Sequence, residues 1–182
     1  MTERSLLDIT LAAARRDEAT VTPDGRHRQR LIEGVEIRPL ATHADERGSL
    51  VELIDKRWNH GSRLSSAHCY TLRPGYAKGW NLHMDCEDRC AIVEGEMALV
   101  LYDPRAGSTT YGEVSRIVLS GRQRCLVNVP PQVWHADHNI GTTDVVVINF
   151  PTTLYDHADP DKYRLPLDTP LIPYSFGDTK GW

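Results

Sequence analysis

The stretch GYAKGWNLHMDCEDRCAIVEG, Gly75 to Gly95, holds two strand-like runs around a polar turn. His83 and Asp85 stand two residues apart, so a strand running through them projects both side chains to one face. Asp88 follows the turn, and the apolar run AIVEG begins a returning strand that ends at Gly95. A second stretch answers it downstream: VPPQVWHADHN, Val129 to Asn139, with His135 five residues after Pro130. Outward from these two, the chain reads as strand after strand. Val35–Leu40 comes first, then Ser49–Ile54 after the turn Asp45-Glu46-Arg47-Gly48, then Ser65–Leu72 before Pro74-Gly75. Arg89–Val93, Glu96–Tyr102, Glu113–Leu119, Cys125–Val129 and Asp144–Phe150 follow, and the VVVINF run in the last predicts burial on both faces. So many short strands with short connections need a closed barrel or a double sheet to cover their edges.

The two stretches resemble the paired motifs of the cupin superfamily, G-x5-H-x-H-x3,4-E-x6-G and G-x5-P-x-G-x2-H-x3-N. Asp88 stands seven residues before Gly95, where the motif has Glu, and Asn139 follows His135 at the motif interval. Asp85 replaces the second His and Gln132 replaces the Gly. The expected fold class is therefore all-β: a cupin-type jelly-roll barrel with a short N-terminal helix and an irregular C-terminal tail. The helix is expected over about Ser5–Arg15, with Leu6, Leu7, Ile9 and Ala13 available for one face. Residues 17–30 are polar, contain Pro23-Asp24-Gly25, and read as a loop, so residues 1–30 are set apart from a jelly-roll domain over 31–182. Pro160, Pro166, Pro170 and Pro173 mark the tail.

Composition narrows the partners. The chain has 182 residues, 25% charged, with a net charge of −4, which argues against a nucleic-acid surface. No run approaches the roughly 20 apolar residues of a membrane span, and Asp8 and Thr10 interrupt the one segment that resembles a signal peptide. Four cysteines are too few for a disulfide scaffold and point to a reduced, cytoplasmic setting, with Cys69 and Cys125 expected in the core.

A narrower resemblance rests on other motifs. DERG at Asp45–Gly48 with Glu52, DPRAGSTTYG at Asp103–Gly112, and the run from Leu119-Ser120 through Val129-Pro130 to His135 are similar to motifs of the dTDP-4-dehydrorhamnose 3,5-epimerase family. NLHMD at Asn81–Asp85 stands where that family has R-G-L-H-Y-Q. The resemblance covers roughly Asp45 to Asp168. It implies a jelly-roll enzyme acting on nucleotide-linked 4-keto-6-deoxyhexoses, with no cofactor. It implies His83 as general base and Asp168 as the carboxylate orienting it. It also implies that His68 and His135 line the substrate pocket. Trp80 and Trp134 flank the two histidines, and either wall that pocket or pack in the core. Arg47 and Glu52 would contact the nucleotide, from the neighbouring subunit of a homodimer. The sequence departs from the family at Trp80 for Arg, Asp85 for Gln, Asp88 for the active-site Lys, and near Asn149 for the tyrosine acid, with Tyr155 available from another direction.

These departures have a chemical consequence. Abstracting a proton beside a ketone builds negative charge on the carbonyl oxygen, which needs a donor or cation aimed at it. Asp85 and Asp88 would repel that charge, whereas His83, Asp85, Asp88 and His135 form a mixed nitrogen and oxygen set suited to a divalent metal. Three readings stay open from sequence: a nucleotide-sugar isomerase or epimerase relative, a metal-dependent cupin enzyme, and a non-catalytic sugar-binding cupin.

Overall fold

Alternating apolar residues build two antiparallel sheets in this computed structural model, which describes residues 5–25, 28–58 and 64–182. The chain divides into two units, Met1–Arg30 and Leu31–Trp182. In the first, α1 spans Leu6–Ala13, shorter than the sequence suggested. Ser5 caps it: the Ser5 hydroxyl accepts from Asp8 N–H, and the Asp8 carboxylate accepts from Ser5 N–H.

The second unit begins with β1 (Glu36–Pro39), β2 (Thr42–Asp45) and β3 (Gly48–Val51). β4 (His68–Leu72), β5 (Tyr76–Leu82), β6 (Asp88–Glu94) and β7 (Glu96–Tyr102) follow. The series continues with β8 (Val114–Ser120), β9 (Cys125–Val129), β10 (Trp134–Asn139) and β11 (Val145–Asn149), and the tail adds β12 (Tyr163–Arg164) and β13 (Lys180–Gly181). One sheet runs β1-β9-β6-β11-β4; the other runs β12-β5-β10-β7-β8, with β13 parallel to β5. β2 and β3 form a hairpin of their own.

The core lies between the two large sheets. It takes Ile92, Val127, Val129, Val145 and Val147 from the first and Met97, Leu99, Leu101, Ile117 and Leu119 from the second. Leu99 and Val127 are at most 1% exposed, and cutting such a leucine to alanine costs about 2–5 kcal/mol. The architecture is a cupin jelly roll, as the paired motifs suggested. Outside the second sheet, the tail packs Ile172 and Phe176 against Trp80, Val100 and Ala136. The tail is thus anchored by two short strands where an irregular course was expected. Cys69 is a correction: it lies on the outer side of β4 and is exposed, whereas Cys125 is buried.

Two glycines hold this topology. Gly95 turns β6 into β7 at φ +83°, and a Cβ there would sit 2.7 Å from the Asp144 carbonyl. Gly79 lies at φ +146°, where a Cβ would sit 2.4 Å from Ala136 Cβ. β5 carries an extra residue at this point, since His135 pairs with Asn81 but Asp137 pairs with Lys78. This bulge turns Trp80 outward and Lys78 and Asn81 inward.

Candidate active site

The polar end of the barrel interior is assembled from both sheets. β6 supplies Asp88, β10 supplies His135, and His83 follows the end of β5. Asp88 Oδ2 lies 3.4 Å from His83 Nε2 and 3.2 Å from His135 Nε2, and the three ligand atoms all fall within 4.8 Å of one another. The other nitrogen of each ring is held by the backbone. His83 Nδ1 bonds the Asp161 carbonyl, and His135 Nδ1 lies 3.2 Å from the Val133 carbonyl. A carbonyl can only accept, so Nδ1 carries the proton in both rings and each Nε2 turns toward Asp88. Burial works against the Asp88 carboxylate, but His135 and His83 outweigh it and hold its pKa well below the usual range. Burial likewise opposes the His83 imidazolium, and Asp88 outweighs that too, raising its pKa.

Around this centre the pocket has an inner and an outer part. The inner part, about 200 Å³, is lined by Tyr70, Lys78, Asn81, Cys90, Asp137 and Asn149, with His68, Asp88, His135 and Lys162. Tyr70 donates its hydroxyl proton to Asp137 Oδ2 at 2.7 Å, and burial raises the pKa of both groups. The outer part, about 550 Å³, opens past His83 toward Pro151, Leu154, Tyr155, His157 and Asp159. Burial lowers the pKa of Lys162, which lines both parts.

Not every expected site residue arrives here. His68, His83, Asp88 and His135 do. Asp85 does not join the metal-type cluster: β5 ends at Leu82, so the strand parity linking it to His83 stops before it applies. Asp85 is exposed on the outer rim, and its N–H donates to Asp161. Trp80 is wholly buried on the far side of β5, against Tyr174 and Phe176, and lines neither part of the pocket. Asp168 borders a separate cleft with Tyr174, Phe176 and Trp182, and so does not orient His83. Asp161 fills that place: its carboxylate accepts from the N–H groups of Met84, Asp85 and Cys86, and its carbonyl from His83. Arg47 pairs with Asp45 at the tip of the β2–β3 hairpin, and Glu52 is exposed just beyond it; neither lines the His83 pocket. Tyr155 stands on the outer rim, its ring against His157.

Tyr70, Lys78, Asn81, Asp137, Asp161 and Lys162 also line the pocket and lie outside the residues expected from sequence. Alternation would have found Asn81, two before His83, and Asp137, two after His135. Asp161 and Lys162 carry no local signal. The motif DPRAGSTTYG lies outside the pocket. Buried Asp103 accepts from Arg105, Ser108 and Thr110, while Arg105 and Thr109 tie this loop to Glu33. The motif is a clasp between the start of the barrel and the β7–β8 connection.

The fold is a jelly roll of the kind seen in sugar epimerases and isomerases. The chain belongs to the polysaccharide biosynthesis C-terminal domain family, which it matches over residues 43–163. It is 33% identical over 139 residues to a probable low-salt glycan biosynthesis epimerase of Haloferax volcanii, covering 75% of this chain and 89% of that one. Among solved structures it is similar to a dTDP sugar isomerase of Desulfovibrio desulfuricans, with TM-score 0.75 and 26% identity over 79% of this chain and 91% of the other. A dTDP-4-dehydrorhamnose 3,5-epimerase of Elizabethkingia anophelis shares the fold at TM-score 0.68 and 15% identity, over 83% and 87% of the two chains. The Haloferax and Desulfovibrio relatives, at 33% and 26% identity, are thus a probable sugar epimerase and a sugar isomerase. Among the described residues, no helix is long and apolar enough to cross a membrane.

Proposed function

We propose that the chain epimerises or isomerises a nucleotide-linked keto sugar in the His83 pocket, with a divalent metal ion held by His83, Asp88 and His135. The carrying observation is the convergence of two Nε2 atoms on one carboxylate oxygen, with each Nδ1 committed to a backbone carbonyl. The Asp161 and Val133 carbonyls fix the tautomer a metal-ligating histidine needs. The donor set therefore fits a divalent ion, and Asp85 is not part of it. Such an ion supplies a Lewis acid that polarises a ketone and offsets charge growing on its oxygen. The protein's own groups do the rest. Lys78 and Lys162 bring positive charge to the inner pocket, standing in for the family lysine replaced by Asp88. Lys162 is our candidate to carry the proton, because burial makes its ammonium a readier donor and its amine more available.

A second reading keeps His83 as a metal-free general base. Its support is the position of the ring beside the pocket, but Nε2 must first leave Asp88 to reach substrate. Incubating dTDP- and UDP-linked 4-keto-6-deoxyhexoses with the protein in D2O tests the common reaction class. Deuterium entering beside the keto group supports it; no incorporation with any such sugar overturns it.

We extend the proposal to the assembly and its location. The β2–β3 hairpin is almost wholly exposed and, among the described residues, pairs with no other strand. A bare hairpin is marginal in water, so a second copy covering it, with Arg47 and Glu52 reaching the partner's pocket, accounts for both features. A monomer by sedimentation at micromolar concentration would remove the shared-site arrangement. Four free thiols accord with a cytoplasmic setting.

A further inference from the structure

Asn149 ends β11, which lies between β6 and the edge strand β4, and it is paired with Cys90 on one side and His68 on the other. Its side chain is inward, 7% exposed, and lines both parts of the pocket. Nδ2 donates to Asp88 Oδ1 at 3.1 Å. An ionised carboxylate only accepts, so this contact fixes which end of the amide faces Asp88. It also engages the Asp88 oxygen that the histidines leave free, and it removes any freedom of the amide to turn over. Oδ1 therefore points away from Asp88, buried and, among the described residues, without a hydrogen-bond partner. An unsatisfied buried carbonyl is destabilising, so a polar pocket wall that keeps one is poised for a donor from outside the protein.

We propose that Asn149 is the specificity-determining residue of this pocket, its Oδ1 accepting a hydrogen bond from a hydroxyl or amide N–H of the sugar. The inference rests on the nucleotide-sugar reading and deepens it. A carboxamide cannot deliver a proton to carbon, so Asn149, near which the family's tyrosine acid falls, recognises substrate and does not protonate it. The substrate class follows: a hexose bearing a hydrogen-bond donor on the carbon that packs beside Asn149 Oδ1, and not its deoxy analogue. A site built to bond a donor rejects the analogue lacking it, because the carbonyl is then left buried and unpaired.

The test is a binding cycle on the full chain. Calorimetric titrations with dTDP-glucose, its 2-deoxy, 3-deoxy and 4-deoxy analogues, and UDP-N-acetylglucosamine are run on the wild type and on Asn149→Leu. The wild type should bind one deoxy analogue about tenfold or more weakly than its parent, and Asn149→Leu should erase that one difference. A merely structural role weakens all probes alike and leaves the ratios intact, which overturns the inference. Because Asn149→Leu also strips a donor from Asp88, a second readout uses the wild type alone. The Asn149 side-chain carbonyl carbon, observed by NMR, should move downfield on saturation with the parent sugar. A bound probe with no such movement also overturns the inference. Failure of every probe to bind the wild type sinks the nucleotide-sugar reading, and this inference with it; unchanged ratios sink the inference alone.

Discussion

The rings of His83 and His135 stack 5.5 Å apart at 28°, one following the end of β5 and the other on β10, with Asp88 Oδ2 facing both Nε2 atoms. Two imidazoles do not hold this pose by ring packing alone. The Asp161 and Val133 carbonyls fix their outer nitrogens, and Asn149 fixes the far oxygen of Asp88. The centre is preorganised by groups that do not themselves touch the space between the rings.

Metal content follows from that arrangement. Protein purified without added metal should carry close to one equivalent of a divalent ion by elemental analysis, and Asp88→Asn and His135→Ala should lose it. Asp85→Ala should keep it, because Asp85 stands outside the cluster. Equal metal content in wild type and Asp88→Asn would end the metal assignment and leave His83 as base.

Asp161 is a positioning residue. Asp161→Ala removes an acceptor shared by three backbone N–H groups and loosens the loop after His83. Metal affinity, read by chelator competition, should fall about 10–100-fold, as for outer-shell partners elsewhere. Asp168→Ala should leave it unchanged, since that residue borders another cleft.

The clasp at Asp103 predicts a pH effect on stability. Asp103 is 0% exposed; burial opposes its charge, but Arg105, Ser108 and Thr110 outweigh it and hold its pKa below the usual value. A depressed folded-state pKa stabilises the fold above the unfolded value of about 3.9 and loses that contribution as pH falls toward the folded value. Asp103→Asn should cost on the order of 3 kcal/mol at neutral pH by urea unfolding. The gap from wild type should narrow as pH drops below about 4. A gap that stays constant with pH would remove the carboxylate from this role.

Trp80 predicts a structural effect without a binding one. Trp80→Ala empties a site closed by Tyr174 and Phe176 and should cost about 3–5 kcal/mol. In the folded fraction, metal content should match wild type. Loss of metal from a still-folded variant would return Trp80 to the pocket.

Most of the barrel was legible because side chains alternate along strands and glycines mark their turns. VVVINF and the run through Glu96–Tyr102 announce strands, and Gly95 announces the hairpin between β6 and β7, but burial on both faces holds only in part for β11, where Val146 and Ile148 stay partly exposed. His83, Asp88 and His135 were legible because motif spacing survives in the sequence. What failed was the extension of alternation past its limits. Asp85 lies beyond the last residue of β5. Trp80 failed for the opposite reason: it was expected in the pocket because it flanks His83, although alternation within β5 puts it on the other face.

By itself, then, the sequence determined the class of fold, the pair of histidines and the carboxylate between them, because these depend on periodicity and local spacing. Only the tertiary structure brought Asp161 and Lys162 from the tail to His83, and set Tyr70 against Asp137 across 67 residues of chain. It alone oriented Asn149, through a contact 61 residues away in sequence. Such contacts depend on how two sheets and a returning tail close around one cavity, and no local pattern of residues encodes that closure.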